Sequence, residues 1–117
     1  MQKKPRDVVV VRVSEQGDRD DENFHSPRAQ LAKAKLWSED HGNRVVDAFE
    51  EIDVSGKLPL ASRPGLLKAI EMVEAGEADH IVVAYFDRLV RSLKVQLEVI
   101  ERVVQAGGEI TRTTTAG

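Results

Sequence analysis

Two short stretches carry the side chains best suited to chemistry on a phosphate. Arg12-Val13-Ser14 sets a guanidinium two residues before a hydroxyl, and Phe86-Asp87-Arg88, with Arg91 three residues on, adds a carboxylate and two more guanidiniums. Guanidinium is planar, permanently charged and bidentate, so several together can stabilise the charge that builds on a phosphoryl group without a metal. A serine beside them is a candidate nucleophile. Singly, these residues mean little: a serine after a strand is usually a turn or cap residue, and an arginine at a helix start is usually solvated. The case depends on their meeting in one place.

The elements along the chain must bring about that meeting. Asp7 to Val13 (DVVVVRV) is apolar on both faces, as a central parallel strand between two helix layers requires. Ser26-Pro27 supplies an N-cap and a first-turn proline for a helix over Pro27–His41, with Ala29, Ala32 and Leu36 at helical spacing. Arg44–Phe49 is a second strand. Ile52–Ala61, holding Gly56 and Pro59, lacks periodicity and reads as an irregular, mobile loop. Ser62 is expected to cap a helix with Leu66, Ile70 and Val73 on its apolar stripe, ending near Gly76. Ile81–Phe86 is a third strand, Arg88–Ala106 a long helix, and Glu109–Thr113 a last strand. This alternation predicts an α/β fold: a three-layer, open, mostly parallel sheet flanked by helices. In such sheets ligands gather outside the carboxyl ends of the strands, where Arg12, Ser14, Asp87, Arg88 and Arg91 fall. Arg91 follows Arg88 at i+3 on the long helix, hence on the same helical face. The long helix has two apolar stripes, Leu93-Leu97-Ile100-Val104 and, roughly opposite, Val95-Val99-Val103. The second needs a cover, from the domain itself, a partner subunit or a C-terminal element outside this chain.

Arg12-Val13-Ser14, Gln30, the stretch from Ser55-Gly56 to Arg63-Pro64-Gly65-Leu66, and Asp87-Arg88-Leu89-Val90-Arg91-Ser92 together resemble the catalytic domain of the serine recombinases: resolvases, invertases and large serine integrases. The resemblance runs from Asp7 to Gly117. Its long Glu15–His25 segment is most like that of a large integrase. It implies a resolvase-like catalytic domain over residues 7–117 after a tail of residues 1–6, without the long helix and DNA-binding domains that follow in the family. It implies that Ser14 attacks a DNA phosphodiester to give a 5′-phosphoserine link and a free 3′-hydroxyl. Arg12, Arg63, Arg88 and Arg91 would bind the scissile phosphate or protonate the leaving oxygen, and Gln30 and Asp87 would orient them. The implied partners are DNA recombination sites and, in the full-length protein, further copies in a dimer and tetramer, with no cofactor and no metal. The fragment alone is not expected to complete recombination. Two positions depart from the family pattern. Val10 stands where many members have tyrosine, and Met72 falls about where resolvases carry an auxiliary lysine, for which Lys57 and Lys68 are the substitutes at hand.

Composition bounds these readings. A chain of 117 residues fits one domain with an ordinary core. Its formal charge of −3 argues against a grip on nucleic acid by bulk charge, so other parts should provide most of it. Cysteine is absent, which excludes disulfides, thiolate nucleophiles and cysteine-ligated zinc. The longest apolar run, Ile81–Phe86, is far short of the ~20 residues of a membrane span, so a cytoplasmic protein without membrane contact is expected. The acidic Glu15–Glu22 segment matches no metal-loop spacing and reads as a solvated loop, and His25, His41 and His80 form no ligand pair. Trp37 reads as a packing residue, and Asp47 and Asp53 as loop carboxylates. Two other functions fit the alternation: a receiver-like signalling domain, which wants an acidic pair where Arg12 and Ser14 stand, and a catalytically idle dimerisation module derived from a recombinase.

Overall fold

A computed structural model describes residues 5–13, 27–52 and 55–113. Its four strands, β1 (Arg6–Val13), β2 (Arg44–Ile52), β3 (His80–Val83) and β4 (Glu109–Arg112), form one sheet in the order β2-β1-β3-β4 with every pair parallel. The strand most apolar on both faces takes a central place. Val8, Val9, Val10 and Val11 are all essentially inaccessible, and each such burial stabilises by roughly 1.5–3 kcal/mol relative to exposure.

Alternation along β1 divides the core. Val9 and Val11, with Val82, pack under α1 (Pro27–Asp40) through Ala34, Leu31 and Trp37. Val8 and Val10, with Ile81 and Val83, face the other layer, formed by α2 (Pro64–Glu74) and α4 (Leu93–Gln105). Gly42 and Gly76, at φ +74° and +76°, turn the chain after α1 and α2 in a conformation that costs other residues energy.

The edge of the sheet remote from the candidate site holds a buried polar cluster. Asp7 is fully buried. It accepts from Ser38 Oγ at 2.5 Å and Asn43 Nδ2 at 3.1 Å, and His80 Nδ1 lies 3.0 Å away. One carboxylate thus ties the end of α1 and the starts of β2 and β3 to the start of β1, and its burial is tolerable because both oxygens are satisfied.

Several boundaries differ from the sequence expectation. β2 extends to Ile52, whereas β3 stops at Val83. Ser62 does not cap α2. It lies in a short 3-10 turn, Leu60–Ser62, and the helix starts at Pro64, with Arg63 at the N-cap position and no side-chain cap bond. The expected helix over Arg88–Ala106 is two: α3 (Phe86–Leu89) and α4, separated by extended Val90 and Ser92, whose hydroxyl accepts the Val95 N–H at 3.4 Å. Val90 is completely buried at the break, and the next N–H, that of Arg91, is bonded to the Gly56 carbonyl rather than within a helix. The stripes of α4 also sort themselves. Val95, Val99 and Val103 face the core, and Leu93, Leu97, Ile100 and Val104 are the exposed face. The domain itself covers the valine stripe, whose short β-branched side chains suit a close approach to the sheet.

Candidate active site

β1 and β3 are neighbours and parallel, so their carboxyl ends open on the same edge. Arg12 lies near the end of β1 and α3 begins three residues beyond β3. Between them is a cleft of about 380 Å³ lined by Arg12, Gln30, Tyr85, Asp87, Arg88 and Arg91, with Val10, Val83, Ala84 and Leu89 as its apolar floor and sides. Among the described residues that line it, three guanidiniums stand with one carboxylate, a local excess of positive charge unlike the acidic chain as a whole.

Main-chain and side-chain contacts hold these groups. The Arg12 Nε–H donates to the Arg88 carbonyl oxygen at 2.9 Å, and Gln30, reaching over from α1, donates from Nε2 to the Arg12 carbonyl oxygen at 3.2 Å. The Arg88 guanidinium lies over the Tyr85 ring, 4.6 Å from its centroid, a cation–π distance. Arg91 donates its main-chain N–H to the Gly56 carbonyl at 2.8 Å. Arg88 and Arg91 do not share one continuous helix, because the chain is already extended at Val90; both nevertheless line the cleft.

The remaining expected residues are placed differently. Ser14 lies outside the described residues, as do Asp53 and the acidic Glu15–Glu22 segment. Arg63 does not line the cleft. It is fully buried, with Nε donating to Glu51 Oε1 at 2.8 Å, while Glu51 Oε2 accepts the Leu66 N–H at 3.0 Å. Arg63 Nη2 stands 2.6 Å from Glu51 Oε1 as an ion-pair contact, yet neither Nη1 nor Nη2 makes a hydrogen bond among the described residues. Glu51 is the cross-strand partner of Arg12, so this ion pair lies one strand away from the cleft. Lys57 and Lys68 are exposed outside it; Lys68 shares a shallow groove with Asp47, Glu71 and Met72. Among the described residues no group of three or more acidic or histidine side chains is arranged to hold a metal ion, and no helix is long and apolar enough to cross a membrane.

Sequence reasoning missed three contributors. Tyr85 immediately precedes the Phe-Asp-Arg stretch, two residues beyond the end of β3, and its place near the end of the expected strand was the available signal. Glu51 is a carboxylate at the end of an otherwise mostly apolar strand, and only a buried cation explains its full burial. Gly56 was noticed as part of a motif, but its contact with Arg91 is tertiary.

The family model described as "Resolvase, N terminal domain" matches residues 8–116. The chain belongs to that family. This resolvase-type domain is similar to the C-terminal catalytic domain of ISC1926 TnpA, an IS607-like serine recombinase, at 27% identity and TM-score 0.77, covering 95% of this chain and 71% of that one. A serine recombinase from Sulfolobus solfataricus matches at 27% identity and TM-score 0.62, over 98% of this chain and 71% of its own. The N-terminal catalytic domain of TP901-1 integrase, at 23% identity, shares the fold with TM-score 0.80 over 92% of this chain and 77% of that one. No curated protein matches the chain in sequence. Resolvase-family membership removes the receiver-like reading, and the resolvase-like α/β architecture agrees with the sequence expectation.

Proposed function

We propose that this chain is the catalytic domain of a site-specific DNA recombinase that cuts and rejoins DNA through a 5′-phosphoserine intermediate. The observation that carries the reading is the contact between Arg12 and the Arg88 carbonyl, which draws guanidiniums far apart in sequence into one cleft. Ser14 follows Arg12 by two residues in the chain.

In the proposed step the Ser14 oxygen attacks the phosphorus of a phosphodiester. The new bond is Oγ–P, and the bond broken is P–O3′. The serine proton goes to a base, and the departing 3′-oxygen takes up a proton to become a hydroxyl. Arg12, Arg88 and Arg91 offset the negative charge on the phosphoryl oxygens as the transition state forms. Gln30 and Tyr85 hold Arg12 and Arg88 in place, and Asp87 limits the positive charge of the cleft. The phosphoserine ester retains the energy of the broken bond, so a 3′-hydroxyl of a new strand can reverse the step without a high-energy cofactor. Arg63 serves the same phosphate in this reading if the Glu51 pair opens on DNA binding, and its Nη1, which has no hydrogen-bond partner among the described residues, supports that role.

The long segment between Ser14 and Ser26 supports an integrase-type member of the family. The net charge of −3 supports a division of labour in which separate DNA-binding parts grip the recombination sites and the domains assemble on DNA as dimers and tetramers, in the cytoplasm where the DNA is. The test is a suicide substrate, nicked beside the cleavage site and labelled at either end of the break. A covalent adduct carrying the 5′ label, with a free 3′-hydroxyl on the other fragment, is expected from the protein with its DNA-binding parts. An adduct at the 3′ end contradicts the proposal, and no adduct at all favours the idle dimerisation module.

A further inference from the structure

The segment after β2 meets the arginine cleft from outside, and it does so at a glycine. Gly56 is buried, and its carbonyl accepts the Arg91 main-chain N–H at 2.8 Å. A β-carbon at this position would stand 2.8 Å from Arg91 Cγ, 3.0 Å from Arg91 Cδ and 2.9 Å from the Arg88 carbonyl oxygen. That carbonyl is the atom that receives the Arg12 Nε–H at 2.9 Å. A single methyl group would therefore press at once on the stem of one cleft arginine and on the main-chain acceptor that holds another. The backbone of Gly56 is not in the left-handed region, so what the site demands of this residue is space rather than an unusual dihedral.

We propose that Gly56 is a positioning residue for the phosphate-binding arginines: its missing side chain lets the loop clamp the Arg88–Arg91 turn in the geometry that holds Arg12. The proposal rests on the phosphate-binding reading of the cleft given above. Displacement of a binding group by as little as about 1 Å costs up to ~10²-fold in a well-oriented site. Any accommodation of the methyl has to move Arg91, the carbonyl that anchors Arg12, or Gly56 itself together with its bond to the Arg91 N–H.

The test follows the arginine Nε–H signals of the 117-residue chain by NMR during titration with inorganic phosphate. In the wild type, the Arg12, Arg88 and Arg91 signals are expected to shift and saturate. Gly56→Ala should weaken that binding by about tenfold, with the thermal midpoint moved by only a few degrees. Equal phosphate binding by wild type and Gly56→Ala overturns the positioning role while leaving the phosphate reading intact. Wild-type signals that ignore phosphate overturn the phosphate reading and this proposal together. A second measurement needs no variant. By linkage, if the Gly56–Arg91 contact favours phosphate, phosphate must favour the contact, so the Arg91 amide should exchange with solvent severalfold more slowly in saturating phosphate. A purely structural glycine leaves that rate unchanged, and an unchanged rate contradicts the proposal.

Discussion

Arg12 and Arg88 are joined by one hydrogen bond, from the Arg12 Nε–H to the Arg88 main-chain oxygen at 2.9 Å across 76 positions of sequence. The bond fixes the guanidinium at its Nε. Lysine retains the charge but not the fork that can bond a carbonyl and a phosphate together. Arg12→Lys is therefore expected to lower the rate of adduct formation by about 10²-fold or more, with little change in thermal stability, in a single-turnover assay on suicide substrate.

Glu51 and Arg63 are both buried, and each is the other's main electrostatic support. Removing the carboxylate strands a cation in the core. Glu51→Ala should destabilise the domain by about 3–5 kcal/mol in urea unfolding. Gly65→Ala should also destabilise it, because a β-carbon there would stand 2.8 Å from Glu51 Cγ.

The two faces of α4 make opposite predictions for similar truncations. Val99 is fully buried and Leu97 is 59% exposed. Val99→Ala should cost roughly 1–3 kcal/mol, whereas Leu97→Ala should fall within about 0.5 kcal/mol of wild type by the same measurement.

Asp79 links the start of β1 to the approach to β3. The Arg6 side chain, and then the Arg6 main-chain N–H, hydrogen-bond its carboxylate and hold its pKa below the ordinary aspartate value. A carboxyl depressed on folding adds stability above its unfolded pKa, and that stability is lost as pH falls through the folded pKa. Asp79→Asn should thus melt below wild type at pH 7, with the gap closing as the pH falls through the lowered folded-state pKa. The effect is modest, because Asp79 is 42% exposed.

The order and type of the main elements were legible because local signals agreed with the global fold. Four valines in a row specify a two-faced central strand, and Pro27 starts a helix where it should. The break at Val90 was not legible. Helical periodicity runs on from Arg88 to Val104, and the break coincides with burial of Val90 in the core and with the tertiary bond from the Arg91 N–H to Gly56. The orientation of α4 was lost for a related reason: two apolar stripes at helical spacing are equivalent until the depth of the sheet selects the smaller side chains. At the site, the gathering of Arg12, Asp87, Arg88 and Arg91 followed from the rule that parallel strands present their carboxyl ends together, whereas Gln30, on α1, was expected only from the family resemblance. The Glu51 partner of Arg63 and the Gly56 contact with Arg91 did not follow from that rule, since both depend on how the segment after β2 folds back.

The most direct measurement is the identity of the residue that bears the DNA. Protease digestion of the trapped protein–DNA adduct, followed by tandem mass spectrometry, should find the 5′-phosphate on the peptide containing Ser14, and Ser14→Ala should form no adduct while remaining folded. A phosphate mapped to any other side chain, or an adduct that persists in Ser14→Ala, contradicts the account.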